Sequence, residues 1–435
     1  MNIRHFLKAG HAPSLFCAFL YFDISFMVWV FLGALANNIA ADPSFNLTQT
    51  QRGLMTGVPL LGGAILRIVL GLMTDHIGAR MTGLIGLCVT VIPLLLGWLW
   101  ADSFEKILVV GLMLGVAGAS FASALPLASR WYPPQYQGLA MGIAGAGNSG
   151  TALAVFFAPR IAAVPEIGWH GVFGLAIIPI VLTLICFFFF AKDSPNRPAP
   201  MTLRDYLKVL GFMDTWWFCI FYSVTFGGFV GLASFLNTFF GTQYGLSPVA
   251  AGGFATICVI SGSLLRPIGG MLADMFGGIR MLVILYVGVL LTMGCLGLLV
   301  TPWGLEAAPD SLYAGTALMF ICMGCLGMGN GSVFQLVPLR FKKEIGVITG
   351  IVGAAGGVGG FFLPTLLGYL KDQTDSFAGG FFAFGTTALI CGVTLWIVGR
   401  SWEGVFVGQG GKAVTARPEP VVNKAPMPEP VEASA

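Results

Sequence analysis

Charge is the scarcest feature of this chain. Only 9% of its 435 residues are Asp, Glu, Lys or Arg, where a soluble domain carries about 25%. That excludes an ordinary water-soluble globular fold. The formal net charge of +3 is too small to support a nucleic-acid partner. Histidines number 4, and two of them, His76 and His170, lie near the ends of apolar runs, where surface roles are expected. The sequence has no helix-borne His/Glu metal motif, no P-loop for ATP and no Ser/His/Asp set. An enzyme is therefore not expected, and no cofactor or metal is called for. A large soluble signalling segment is also missing. The 9 cysteines lie almost all in apolar runs; Cys322 and Cys325 form a C-x-x-C in "MFICMGCLGMG" with no second pair to complete a metal site. They read as small packing residues.

What is present is apolar: 56% of residues are hydrophobic and the mean hydropathy is +0.86. The 61 glycines agree with packed membrane helices, in which glycine is commoner than in soluble ones. About 20 apolar residues cross a bilayer. Twelve such stretches occur, at 14–40, 52–74, 81–100, 104–130, 137–163, 169–191, 212–241, 247–272, 280–300, 311–338, 345–370 and 377–399. A polar link, "AKDSPNRPAPMTLRDYLK" (191–208), separates the sixth from the seventh. Arg4 and Lys8 precede the first run as in a signal peptide. That run is too long for one and contains Asp23, so it reads as an uncleaved first helix.

The organisation expected is a first six-helix half over 1–191, a cytoplasmic linker over 192–211, a second half over 212–400 and a tail over 401–435. From about residue 408 the tail is rich in Pro, Ala, Val and Glu without periodicity, and is expected to be mostly disordered. With the N-terminus inside, sixteen Lys and Arg residues fall on the inner side; only Arg52, Lys106, Arg160 and Lys371 fall on the outer. The positive-inside rule then makes both termini cytoplasmic. A monomer in the cytoplasmic (inner) membrane is expected.

The two halves repeat. "RIVLGLMTDHIGAR" (67–80) matches "RPIGGMLADMFGGIR" (266–280), and "GLAMGIAGAGNSG" (138–150) matches "GVITGIVGAAGGV" (346–358). Such repeats are the build of transporters whose two bundles rock around a midplane site. The fold class expected is an all-α membrane protein of twelve transmembrane helices in two pseudo-symmetric six-helix bundles.

The pattern Gly71-x-x-x-Asp75-x-x-Gly78-x-Arg80 resembles the signature between helices 2 and 3 of the major facilitator superfamily, with His76 where an arginine is commoner. The second copy, Gly270, Asp274, Gly277 and Arg280, is one residue longer. "AGAGNSG" (144–150) and "GAAGGVGGF" (353–361) resemble the paired glycine-rich signatures of the nitrate/nitrite porter family. "FDISFMVWVFLGAL" (22–35), "YSVTFGGFVG" (222–231) and two intramembrane arginines look like the same family. The resemblance covers about residues 12–400. It implies roles for the signature glycines Gly145, Gly147, Gly150, Gly353, Gly356 and Gly357, and gating roles for Gly71, Asp75, Arg80, Asp274 and Arg280. Thr151 stands where a second glycine is often found, and is expected to loosen a helix contact.

Arg67 in "LGGAILRIVLGLMTD" and Arg266 in "SGSLLRPIGGMLAD" each interrupt an apolar run, where an arginine costs about 2.5–3.5 kcal/mol on insertion scales. At matching places of two halves, they are expected to face each other across the central cavity. Of 19 acidic residues only Asp23 lies well within a helix. Two unpaired guanidiniums make a socket for an anion, which relieves their repulsion. The alternative is that each pairs with a helix end or snorkels to the cytoplasm. The resemblance implies that Asn148 and Tyr222 donate hydrogen bonds and that Phe121 and Phe226 flank the ligand. Tyr222 and Phe226 are four apart and share a helix face. Gly138 with Gly142, and Gly346 with Gly350, have the spacing that lets helices approach closely. Asp23 reads either as a proton-coupling carboxylate or as a fixed counter-ion or packing hydrogen bond.

The function expected is secondary active transport of nitrate and/or nitrite by alternating access, with proton-coupled symport. Nitrate/nitrite antiport, transport of another small monovalent anion, and a transporter-like membrane sensor are the alternatives. The implied partners are nitrate or nitrite, protons and the lipid bilayer.

Overall fold

The structure, a computed structural model, describes residues 3–195, 203–301, 309–341 and 345–413. Among these residues it has twelve helices long and apolar enough to cross a membrane, and each falls on one of the expected stretches. They are α1 (Ala12–Trp29), α2 (Gln49–Ile77), α3 (Ala79–Leu99), α4 (Phe104–Ser129), α5 (Ala140–Ala162), α6 (Gly168–Phe190), α7 (Met213–Tyr244), α8 (Pro248–Phe276), α9 (Gly278–Leu299), α10 (Ser311–Arg340), α11 (Ile345–Thr374) and α12 (Ala378–Trp402).

Three spans of the first half are broken. After Trp29 the first stretch continues as two short turns, Phe31–Ala34 and Ala36–Ala41. α4 is interrupted between Gly118 and Phe121. The α5 stretch runs as Pro134–Gly145, tightens into a 3-10 turn at Ala146–Ser149 and resumes at Gly150. In the second half α7, α10 and α11 run unbroken.

Local chemistry sets several boundaries. Thr48 opens α2 with a capping box: its hydroxyl accepts from Gln51 N at 3.2 Å, while Gln51 Oε1 accepts from Thr48 N at 3.0 Å. The repeated α2–α3 and α8–α9 turns each pass through one left-handed glycine, Gly78 (φ +94°) and Gly277 (φ +99°). Helix contacts repeat too. A Cβ on Gly115 of α4 would strike the Gly62 carbonyl group of α2, and one on Gly327 of α10 would strike that of Gly262 in α8.

The halves meet at the end away from the termini. Asn37 Nδ2 donates to Asn237 O at 2.6 Å, and Asn237 Nδ2 donates in return to Ala34 O. Asp372 of α11 accepts from Gln49 N (3.0 Å), Thr50 N (2.7 Å) and the Thr50 hydroxyl (2.6 Å), so it caps α2 from the other half. At the terminus-bearing end a Cβ on Gly142, Gly145 or Gly346 would meet nothing within 4 Å. Gly142 and Gly346 thus face open space instead of the close helix contact their spacing suggested. The halves are thus bonded to each other at the end away from the termini, while three glycines at the other end border open space.

Residues 403–412, assigned to the tail by composition, fold back on the second half. Glu403 pairs with Val407, Gln409–Gly411 forms a 3-10 turn, and Gly410 N donates to the Glu403 carboxylate at 2.6 Å. Residues 414–435 of the tail and 196–202 of the linker lie outside the described residues; the linker resumes as a helix, Leu203–Leu210.

Candidate functional site

Arg67 is 1% exposed. Its Nε donates to Gly118 O at 3.1 Å, the carbonyl freed where α4 breaks, and Nη1 donates to Gly353 O of α11 at 2.6 Å. Its guanidinium carbon lies 5.3 Å from the Trp29 ring, 5.3 Å from Phe121 and 4.9 Å from Phe226. Nη2 has no partner. Aromatic faces carry negative charge density and hold the cation without neutralising it.

Arg266 is partly exposed and looser. Its guanidinium carbon sits 5.9 Å from Phe121, and Nη1 has no partner. Both guanidiniums therefore lie against the Phe121 ring. Each cation lies in the field of the other group set: Arg67 feels both Arg266 and Tyr222. Among the described residues neither arginine forms an ion pair with a carboxylate.

Tyr222 and Phe226 share a face of α7, their rings stacked at 5.1 Å and 5° apart in plane. Both are fully buried, and the Tyr222 hydroxyl, beside Arg266, makes no well-formed hydrogen bond. Asn148 is fully buried in the 3-10 turn of α5, with neither end of its carboxamide partnered. Its carbonyl accepts from the Thr151 hydroxyl at 2.6 Å and from Ser263 at 3.4 Å, one turn from Arg266. Thr151 thus pins the turn that holds Asn148. These side-chain polar atoms are buried without a protein partner. Each buried polar group left unpaired costs about 1–3 kcal/mol, and a small oxyanion carries enough lone pairs to satisfy several.

The signature glycines divide by duty. Gly147 and Gly150 seat α5 on α1: their Cβ atoms would collide with Phe22 and with the Asp23 carbonyl. Gly356 backs the Tyr222–Phe226 pair, Gly357 contacts Leu60 and Ala64 across the halves, and Gly353 offers its carbonyl to Arg67. Gly145 borders open space. Asp23, 7% exposed, accepts from Ser149 Oγ at 2.6 Å. It is tied through Ser149 to the first signature instead of to either arginine.

The motif residues lie at the terminus-bearing end. Asp75, one turn after Gly71 in α2, accepts from Arg130 Nη2 at 2.8 Å. Arg80 donates its N–H to Asp193 at 3.0 Å and Nη2 to Phe188 O at 2.8 Å. In the second half Asp274 meets Gln335, while Arg340 pairs with Asp214 at 2.5 Å. Arg280 packs against Gly410.

Two residues went unnoticed in the sequence. Phe334 of α10 lies 5.0 Å from Tyr222, edge to face, and 6.2 Å from Phe121, ring to ring. Asn330, one turn earlier, is fully buried with both carboxamide atoms unpartnered. The only available signal was a lone amide between two glycines in an apolar run.

The profile described as "Major Facilitator Superfamily" matches residues 14–364. The chain is 34% identical to the "Nitrite extrusion protein" of Bacillus subtilis (strain 168), over 84% of this chain and 88% of that one. It is 34% identical to the "Probable nitrate/nitrite transporter NarK2" of Mycobacterium tuberculosis (strain ATCC 25618 / H37Rv), over 88% and 95%. It is 31% identical to the "Probable nitrate/nitrite antiporter NarK1" of Thermus thermophilus, over 82% and 84%. Among solved structures, the xylose transporter XylE from E. coli, in a partially occluded inward-open conformation, superposes with a TM-score of 0.71 at 13% identity, covering 88% of this chain and 97% of that one. That likeness shows the fold. With twelve apolar helices, a matching superfamily profile and relatives of this kind, the chain belongs to the nitrate/nitrite porters of the major facilitator superfamily.

Proposed function

We propose that this protein carries nitrate and nitrite across the cytoplasmic membrane by alternating access, with the anion bound between Arg67 and Arg266. The observation that carries this reading is a set of unmatched buried polar groups: Arg67 Nη2 and Arg266 Nη1, whose guanidiniums both lie on Phe121, together with the Tyr222 hydroxyl and the Asn148 carboxamide. Phe121 and Phe226 form the walls. Each half contributes one arginine, so a single chain makes a complete site and works as a monomer. The excess of Lys and Arg on the terminus-bearing side supports cytoplasmic termini. The terminus-bearing end is then cytoplasmic, and Asp75, Arg80, Asp274 and Arg280 lie there.

Anion exchange is the coupling the site supports best. Returning empty would carry two uncompensated guanidiniums across the bilayer. The nearby carboxylate, Asp23, is engaged by Ser149. An exchanger never makes that empty return. Relatives with "antiporter" and "extrusion" in their names agree with this choice. Proton symport is the second reading, because Asp23 is a buried carboxylate within the first signature.

The test is uptake of labelled nitrate into proteoliposomes. Exchange predicts rapid uptake into vesicles loaded with nitrite and none into anion-free vesicles under an imposed pH gradient. Uphill uptake into anion-free vesicles, lost in Asp23→Asn, would establish symport instead.

A further inference from the structure

Asn330 is the buried polar group that the site described above does not use. It lies in "GNGSVFQ" (329–335) of α10, flanked by two glycines. Gly329 lets α10 press on Thr225, whose Cγ2 stands 2.7 Å from where a Cβ would be; Gly331 lets it press on the carbonyl of Arg266. Thr225 lies three residues beyond Tyr222 in α7. Successive helical residues turn by about 100°, so Asn330 points between the directions of α7 and α8. Phe334, four residues on, shares that face and packs on both Tyr222 and Phe121. A carboxamide has two donors and two acceptor lone pairs, and buried side-chain polar atoms are paired in the large majority of cases. Asn330 has no partner at either end, although it is 0% exposed.

We propose that Asn330 is a specificity-determining residue: its Nδ2–H₂ donates to one oxygen of the bound oxyanion from the second half, opposite Asn148. This rests on the Arg67–Arg266 site being an anion site. A planar anion with three oxygens presents one more oxygen to donors beyond the two guanidiniums than a bent anion with two does. A further donor on the second half thus has a partner in the planar anion that the bent one lacks. A site built to hydrogen-bond a group discriminates against the ligand lacking it. Asn330 therefore favours nitrate over nitrite.

The experiment is calorimetric titration of the purified full-length protein with nitrate and with nitrite, for wild type, Asn330→Ala, Asn330→Ser and Arg67→Lys. The readout is the ratio of the two affinities, because an amide that only supports packing or holds a water shifts both alike. Asn330→Ala should weaken nitrate about tenfold, one hydrogen bond's worth, and leave nitrite within about twofold. Asn330→Ser, which keeps a shorter donor, should recover part of the ratio. An unchanged ratio in Asn330→Ala overturns the proposal, whether both affinities stay or both fall. If Asn330→Ala does not purify folded, the Asn330→Ser ratio decides: below wild type supports the role, equal to wild type overturns it. Wild-type protein that binds neither anion would overturn the anion-site reading itself. Binding that is lost in Arg67→Lys with an unchanged Asn330 ratio overturns only the part given to Asn330.

Discussion

The two halves share a repeat, yet they treat their central arginines differently. Arg67 is sealed in, held by two carbonyls and three rings, one carbonyl being Gly353 of the opposite half. Arg266 is partly exposed and touches one ring of the same site, Phe121. The backbone differs in the same sense. α4 and α5 of the first half are broken where they meet the site, while α10 and α11 of the second run through. Each break frees a group for use: the Gly118 carbonyl for Arg67, and the Asn148 side chain in its tight turn. The first half is a preorganised anchor. The second supplies a cation with fewer fixed contacts.

The sharpest way to break this contrast is with one methyl group. Gly150→Ala should destabilise the protein by about 3 kcal/mol or more, because its Cβ would collide with the Asp23 carbonyl and lie 2.9 Å from Met27 N, both backbone. Gly346→Ala, in the second half's repeat, faces open space, and should raise stability by about 0.4–1 kcal/mol through the unfolded chain. Thermal unfolding in detergent compares them; two equal effects would remove the difference between the anchors.

Next come the arginines. Arg67→Lys loses a planar fork with two fixed carbonyl partners, and should abolish nitrate uptake and binding. Arg266→Lys should also fail to transport, but retain measurable binding, weakened about 10–100-fold by the loss of one charge-assisted contact. Near-normal binding in both would sink the two-arginine socket, and identical losses would sink the asymmetry.

Much of this was legible in the sequence for a physical reason. Twelve apolar runs, the Lys/Arg bias and a repeat are one-dimensional signals, and all twelve spans appear as helices. Two arginines in hydrocarbon were conspicuous because their cost is large. The breaks in α4 and α5 were not legible, since glycine and alanine runs suit a helix and a 3-10 turn equally. Nor was the Thr151 hydroxyl's bond to a carbonyl three residues back, which stabilises that tight turn. Asp23's partner, Ser149, lies far along the chain, and only the packing of α5 on α1 brings it in. Asn330 carried no pattern at all; an orphaned amide becomes visible only once its surroundings are known.

A third prediction concerns the end away from the termini. Asp372 of the second half caps α2 of the first through three hydrogen bonds. Hydrogen bonds to a charged group contribute about 1.5–3 kcal/mol, so Asp372→Asn should shift the balance toward opening at that end by about tenfold or more. Cysteines placed on either side of the contact, probed with a membrane-impermeant thiol reagent, would report it. Unchanged labelling would mean that the Asn37–Asn237 pair alone holds the halves together there.

The smallest effect should come from the repeated acids. Asp75 forms an ion pair with Arg130 at 2.8 Å, side chains 11% and 17% exposed. Asp274, its counterpart, meets the neutral Gln335, while Arg340 is paired with Asp214. Neutralising Asp75 leaves a largely buried guanidinium unpaired, whereas Asn at 274 can still bond a glutamine amide. Asp75→Asn should therefore destabilise the protein by about 1–3 kcal/mol, and Asp274→Asn by no more than about 0.5 kcal/mol. Both partners of the Asp75 pair belong to the first half, so the loss is one of bundle stability, present in either state of the transport cycle. A double-mutant cycle with Arg130→Gln isolates the pair: the coupling should be about 0.5–3 kcal/mol for residues in direct contact, and near zero for Asp274 with Arg340→Gln. Equal coupling in the two halves would show that Arg340 leaves Asp214 to complete the repeat, and the asymmetry would then be confined to the central arginines.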